Sequence, residues 1–270
     1  MAVDRRKFFT IAGLSTLVGL MGKEVLTVAA QSESKYLAAE KVLTAHRWAM
    51  TVDLTKCKQG DGCEKECIQA CHDTHNVPAI ENLKHEVKWI WTEPYEKAFP
   101  SQENEFNKEE LIHKEVLVFC NHCDNPPCVR VCPTQATWKQ EDGIVMMDWH
   151  RCIGCRYCIA ACPYGSRSFN WVEPAARSED GQILPDQPFL KKVNSAFPTR
   201  TRGVVEKCTF CDARLAKGLQ PACVEACKQG ALAFGDLDDP NSEIRALLKD
   251  RFSIRRKPGL GTQPQIYYLV

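Results

Sequence analysis

The sixteen cysteines of this 270-residue chain fall into four groups of four, with none left over. The groups are Cys57, Cys63, Cys67, Cys71; Cys120, Cys123, Cys128, Cys132; Cys152, Cys155, Cys158, Cys162; and Cys208, Cys211, Cys223, Cys227. Cysteines this close in sequence deliver several thiolates from one local loop to one point, which is what a metal cluster demands of its ligands. The chain between the groups is then expected to form short helices, small antiparallel sheets and many loops.

The third group reads Cys-x2-Cys-x2-Cys-x3-Cys and is closed by Pro163, the bacterial ferredoxin run that holds a [4Fe–4S] cluster. Four complete groups predict four [4Fe–4S] clusters. A disulfide framework is one competing reading, but disulfide-dense scaffolds are short chains without a core, and 44% of this sequence is hydrophobic. Structural zinc is another, and it fits the fourth group best, whose Cys-x2-Cys-x11-Cys-x3-Cys looks ribbon-like alone. Attached haem fits least, because three residues separate Cys67 from Cys71 before His72, where c-type attachment takes two.

Residues 1–30 read as a targeting segment to be left out of the fold. Arg5 and Arg6 precede a weakly apolar stretch over 10–21, and cleavage after Ala30 follows from Val28, Ala29 and Ala30. The paired arginines match a twin-arginine export signal. That stretch is shorter than the ~20 residues a membrane span needs, and no later segment approaches that length. Clusters are assembled where thiols stay reduced and are coupled to folding, so a route that carries folded cargo answers the need. The expected address is the periplasmic, extracytoplasmic face of the cytoplasmic membrane, with attachment through partner subunits. A net charge of +1 without a basic run speaks against nucleic acid. Each oxidised thiolate-bound cluster adds about −2, so the loaded protein is expected to be acidic.

Residues 36–50 have helical composition, and 48–54 begins a first strand. Val87, Trp89 and Trp91 alternate with Lys88 and Ile90, which predicts a strand, and 115–119 predicts another. Runs 136–139 and 144–148 around Glu141, Asp142 and Gly143 read as a hairpin. Strands are expected at 168–172, at 231–235 and from Gln265, and a helix from a cap at Asn241 or Ser242 to Asp250. The domain plan is an N-terminal lead with the first group over 31–111, an inner two-cluster module over 112–172 and a proline-containing surface insertion over 173–203. The fourth group over 204–236 completes an outer two-cluster module, and 237–270 is a tail. The fold class is α+β, tandem bacterial-ferredoxin-like, with one two-cluster module inserted in the other.

In two-cluster ferredoxins the fourth cysteine of each run ligates the other cluster, since the first three wrap one cube and the Cys-Pro step turns the chain away into a helix beside the second. Applied here, Cys120, Cys123 and Cys128 join Cys162, and Cys152, Cys155 and Cys158 join Cys132. The outer groups cross likewise: Cys57, Cys63 and Cys67 with Cys227, and Cys208, Cys211 and Cys223 with Cys71.

The framework over 57–227 resembles the four-cluster ferredoxin subunits that accompany molybdopterin oxidoreductases, polysulfide reductases and related membrane complexes. The matching segments are Cys120-Asn-His-Cys123-Asp-Asn-Pro-Pro-Cys128, Asp148-Trp-His-Arg-Cys152-Ile-Gly-Cys155-Arg-Tyr-Cys158, Glu206-Lys-Cys208-Thr-Phe-Cys211 and Ile254-Arg-Arg-Lys-Pro258. Within that superfamily the whole chain is most similar to the DsrO-type subunits of DsrMKJOP complexes, associated with dissimilatory sulfite reduction. The resemblance implies an NrfD-type quinone-interacting integral membrane subunit (DsrP-like) and a multihaem c-type cytochrome (DsrJ-like) as partners.

One departure matters. Five residues separate Cys57 from Cys63 where the superfamily usually has two. Gly60 and Gly62 let the extra residues bulge outward without moving the thiolates. The alternative, in which Cys57 is no ligand and the cluster is incomplete or takes another donor, stays open. His72 and His75 beside this group read as packing residues or donors to cluster sulfur rather than iron ligands. Trp138, Trp149, Tyr157, Tyr164 and Phe210 read as core that excludes water from the clusters. There is no nucleophile–base pair and no Gly-rich phosphate loop, so no substrate site is expected.

The sequence thus predicts an electron-transfer subunit. Its alternatives are the corresponding subunit of a polysulfide, thiosulfate or tetrathionate molybdopterin reductase and, from another class, a zinc-stapled interaction module. Replacing both Arg5 and Arg6 with Lys is expected to leave folded, cluster-loaded protein in the cytoplasm. Fractionation of cells expressing this double variant checks it, and unchanged delivery outward rules the twin-arginine reading out.

Overall fold

The computed structural model describes residues 42–57, 63–102, 114–184 and 186–270. The export segment, the Gly60 and Gly62 bulge and the helical expectation over 36–41 lie outside the described residues.

Strand β1 (Trp48–Asp53) is buried at every position, as a strand must be when neighbours cover both of its edges and both of its faces. It lies inside a four-stranded sheet of order β8-β1-β10-β9, paired antiparallel with β8 (Leu232–Asp236) and parallel with β10 (Ile266–Leu269). Strand β9 (Ser253–Ile254) closes the far edge. The sheet therefore ties the lead-in to the first cysteine group to the chain that leaves the fourth. Residues 42–47, expected as helix, are irregular, and the strand begins at Trp48.

Three two-stranded ladders staple the remaining groups together. Strand β2 (Ile90–Pro94) pairs with β3 (Glu115–Phe119) in the register Ile90↔Phe119, just before Cys120. It starts three residues later than the alternation of Val87 to Trp91 predicts, and Trp89 is instead fully buried ahead of it. The expected hairpin forms from β4 (Thr137–Lys139) and β5 (Val145–Met147), turning through Gly143 at φ +87°. Strand β6 (Ser168–Phe169), shorter than the strand expected at 168–172, pairs with β7 (Val205–Glu206), whose two residues carry no periodicity that the sequence could show.

The helices are short apart from α1 (Cys63–His75, 13 residues). Helix α2 (Tyr95–Ala98) follows β2, α3 (Pro127–Arg130) packs against α4 (Tyr157–Ala161), and α1 packs against α6 (Ala222–Glu225); α5 (Asp212–Leu215) lies between the cysteines of the fourth group. Helices α3 and α4 precede their Cys-Pro steps, whereas the sequence reading placed the helix after them. The reason is local: Pro at the start of α3 is compatible with a first helical turn, but the Cys-Pro step restricts the residue before it and ends the helix. Helix α7 (Glu243–Asp250) starts after Ser242 as expected, but Ser242 Oγ donates to Asp236 O at 2.6 Å instead of capping the helix. Among the described residues no helix is long and apolar enough to cross a membrane.

Segment 173–203 is largely irregular, with one bridge between Arg177 and Ile183. Its last residues turn inward. Asn194 N donates to Asn76 Oδ1 at 2.7 Å and Asn194 Nδ2 donates to Thr74 O at 2.7 Å, fastening it to the end of α1. Beyond it Arg200, wholly buried, pairs with Glu206 at 2.5 Å. Glu206 also accepts from Trp89 Nε1 at 2.7 Å and from Asn170 Nδ2 at 2.6 Å. Removing one partner of such a pair strands the other charge away from water. Glu206→Gln is expected to destabilise the loaded protein by about 3–5 kcal/mol, seen as a lower denaturant midpoint. An unchanged midpoint would show that the pair is not a structural anchor.

Candidate metal centres

The cysteine loops coil by using left-handed backbone at chosen residues. His122, Arg156, Phe210 and Cys211 all have positive φ, between 39° and 63°. Gly154 in the third group has φ +70°, and a Cβ there would stand 2.4 Å from Gly203 O. Only glycine meets both demands, and the loop is thereby pressed against the segment that enters β7.

Cys132, Cys152, Cys155 and Cys158 line one small cavity, together with Thr137, Met147 and Val205 among others. Elsewhere the thiols of different groups also meet. Burial raises the Cys162 thiol above its ordinary value, and Cys120 and Cys128 add to that effect. Burial pushes Cys71 well up, and next come Cys211, Cys208, Cys223 and Cys67. Cys67 and Cys71 sit one turn apart on α1, ~6 Å along its axis, so one helix offers thiols at two levels. For the first group the sheet does the joining. Cys57 N donates to Asp53 O at 2.9 Å, Asp53 N donates to Ala231 O at 2.7 Å, and Ala231 N donates to Cys227 Sγ at 3.2 Å. The Asp53 turn is itself tied by Thr55, Arg251 and Lys56, whose hydrogen bonds hold its carboxyl below the ordinary value although burial opposes them.

These residues fit iron–sulfur clusters. All donors are thiols, and the cysteines of the second, third and fourth groups form no disulfide. Backbone N–H groups already aim at sulfur: Val205 N at Cys152 Sγ (3.5 Å), Phe210 N at Cys208 Sγ (3.5 Å) and Ala222 N at Cys211 Sγ (3.4 Å). Such bonds stabilise thiolate and tune cluster potential. The Asn121 amide, between Cys120 and Cys123, is buried with neither of its polar atoms paired to protein, and a cluster sulfur is an acceptor for its N–H. Burial pushes Cys208 up to about 12 and Cys211 up to about 11, so loading exchanges protons for iron.

Most of the aromatic shell is where it was expected. Tyr164 and Phe210 are buried, and Trp138 and Trp149 partly so. Tyr157 is not core: it is 63% exposed beside Ile153, which is 67% exposed, and Cys155 also faces solvent. The reason is that Tyr157 opens α4 with only its neighbour Cys158 turned inward. His75 stacks on Trp89 at 4.6 Å, its Nδ1 is 2.9 Å from Cys71 O, and burial lowers it to about 4. Two residues that sequence reading passed over enter the site: Arg167 Nη2 donates to Cys128 Sγ at 3.1 Å, and Lys207, wholly buried, faces Cys120. Their signal was present, as basic residues within five positions of a group, but a lone cation in a loop is ordinarily solvated.

Residues 116–183 and 177–237 match the 4Fe-4S dicluster domain family. The sequence is 39% identical, over 98% of its own length and 97% of the relative's, to the Hdr-like menaquinol oxidoreductase iron-sulfur subunit 1 of Archaeoglobus fulgidus. It is 36% identical, over 83% of its length and 88% of the relative's, to the iron-sulfur cluster-binding subunit of menaquinone reductase from Nitratidesulfovibrio vulgaris. It is also 36% identical, over 76% and 86% respectively, to the B subunit of polysulfide reductase from Wolinella succinogenes.

Gly154→Ala is expected to abolish or weaken loading at the cavity lined by Cys132, Cys152, Cys155 and Cys158, because backbone would have to move. Iron analysis against the unaltered protein checks this as a loss of iron, and full loading would show that the loop yields.

Proposed function

Because the protein belongs to the iron–sulfur subunit family with 4Fe-4S dicluster domains, we propose that it is an electron-transfer subunit relaying single electrons through four [4Fe–4S] clusters. When bound, each cluster supplies a one-electron centre. The protein holds the ligands, excludes water and sets the distances. In this reading the ligand sets are Cys57, Cys63, Cys67 with Cys227; Cys120, Cys123, Cys128 with Cys162; Cys152, Cys155, Cys158 with Cys132; and Cys208, Cys211, Cys223 with Cys71. The supporting observation is that thiols from different groups are neighbours, above all Cys132 in the cavity of the third group.

Neighbouring thiols also support an order. Besides burial, Cys128 opposes ionisation of Cys158, Cys120 that of Cys208, and Cys67 that of Cys223, as thiols within electrostatic reach of one another do. The sets then stand in one line, from the Cys152 set through the Cys120 set and the Cys208 set to the Cys57 set. The line ends at solvent on one side, where Cys155 is exposed.

The complex we propose is a membrane-bound respiratory one linked to dissimilatory sulfite or sulfate reduction, with this protein as its DsrO-type subunit on the periplasmic face. Its partners are an NrfD-type quinone-interacting membrane subunit and a multihaem c-type cytochrome. The similarity to a menaquinol oxidoreductase subunit along nearly the whole sequence supports it. The similarity to the polysulfide reductase B subunit favours a second reading, a subunit docked to a molybdopterin reductase. Neighbouring genes encoding a cytochrome and a ten-helix membrane protein would decide for the first. Zinc without acid-labile sulfide would overturn both.

Crossed ligation is tested by EPR-monitored redox titration of double variants. Cys162→Ser with Cys120→Ser is expected to damage one cluster, by a shifted potential or conversion to a three-iron form, because serine oxygen suits the core poorly. Damage to two clusters would show that the ligands do not cross.

A further inference from the structure

Among the described residues four cationic side chains are buried: Arg167, Arg200, Lys207 and Arg256. Two have a carboxylate, Arg200 with Glu206 at 2.5 Å and Arg256 with Glu93 at 2.7 Å. The other two form no ion pair with any described carboxylate. Arg167 Nη2 donates to Cys128 Sγ at 3.1 Å and to Thr137 Oγ1 at 2.7 Å, and Nη1 donates to Met147 Sδ at 3.7 Å. Its other face meets Cys158. Lys207 Nζ donates to Val145 O and, at 2.6 Å, to Cys208 O; burial disfavours its charge, and the thiols of Cys120, Cys208 and Cys128 act against that effect.

A buried charge without a counter-charge costs several kcal/mol, so something anionic must stand in for the missing carboxylates. Among the described residues the groups facing Arg167 and Lys207 that can take up negative charge are cysteine thiols, as thiolates once they hold a cluster. Arg167 bonds Cys128 of the Cys120 set and also Cys158 of the Cys152 set, while Lys207 bonds the carbonyl of Cys208 and that of Val145, whose N–H donates to His122 in the loop of the Cys120 set. One centre therefore faces both cations, and each neighbour in the line faces one. Reduction adds negative charge, which a fixed buried cation favours, and net local charge is among the levers on cluster potential.

We propose that Arg167 and Lys207 are positioning residues that make the centre held by Cys120, Cys123, Cys128 and Cys162 the highest-potential point of the relay, a resting place for the first electron. The inference rests on the ligand sets proposed above. Its step is an outer-sphere one: the neighbouring centre loses one electron and this centre gains it, with no bond made and no proton required.

The test is EPR-monitored redox titration of the cluster-loaded protein with Arg167→Gln, Lys207→Gln and Arg167→Lys. Each Gln variant is expected to lower the same, highest midpoint, so that at the former midpoint the reduced-to-oxidised ratio falls about tenfold, or about 59 mV for one electron. Arg167→Lys, which keeps the charge, is expected to restore most of it, which a merely structural role would not predict. Four unmoved midpoints at full iron content overturn the proposal, as does an equal shift in the Lys and Gln variants. Should the Gln variants fail to load, Cys162→Ser decides: it must perturb the highest-potential signal, and an untouched signal overturns the proposal. Missing iron in the unmodified protein would instead sink the relay reading itself.

Discussion

In each of two helix pairs, α3 with α4 and α1 with α6, a helix carrying the third cysteine of one group packs against its counterpart from another group. The third and fourth cysteines of each run lie four residues apart, about 6 Å along a helix, so a run presents its last two thiols at two levels. Packing two such helices together brings thiols of different groups near one another, Cys71 to those of the fourth group among them. Everything else in the molecule serves to hold those two pairs in place.

The small sheets do this by joining the exit of one cysteine group to the entrance of another. The β4–β5 hairpin links the second group to the third, the β6–β7 ladder links the third to the fourth, and β1 with β8 links the fourth back to the first. Two- and three-residue strands are marginal by themselves. Here they are backed by buried polar anchors such as Glu206, which ties Trp89, Asn170 and Arg200 from three separate segments. Aromatic contacts run from the large sheet toward the thiols, with Trp48 stacked on Phe234 at 4.7 Å and Phe210 stacked on His122 at 3.7 Å. Dry, rigid surroundings of this kind suit one-electron chemistry, which needs little rearrangement when charge moves.

The loop of the third cysteine group has a different character. Ile153, Cys155, Arg156 and Tyr157 all face solvent on the loop of the third group. Arg156 lies 4.8 Å over the Trp171 ring and 5.2 Å over the Phe169 ring, keeping a cation and an apolar face side by side. The same short loop thus turns Cys158 inward and Cys155 and Tyr157 outward, although Tyr157 stands next to the buried cysteine.

Much of the site was legible in the sequence because cysteine spacing is local information: a loop of three thiols is specified by a dozen residues wherever it sits. The hairpin at Gly143, strand 115–119 and the helix ending at Asp250 were legible for the same reason, each being written in contiguous turn or pattern signals. Strand β7 and the inward turn at Asn194 were not, since each depends on partners far along the chain, and the helices stand before rather than after Cys-Pro because that step itself ends a helix. Arg167 and Lys207 mark the boundary most clearly. In the sequence they are two cations among thirty-five, indistinguishable from solvated ones. Only the tertiary structure could bury them without carboxylates beside Cys128 and Cys120, because burial and the identity of a counter-charge are properties of packed neighbours and not of any one segment.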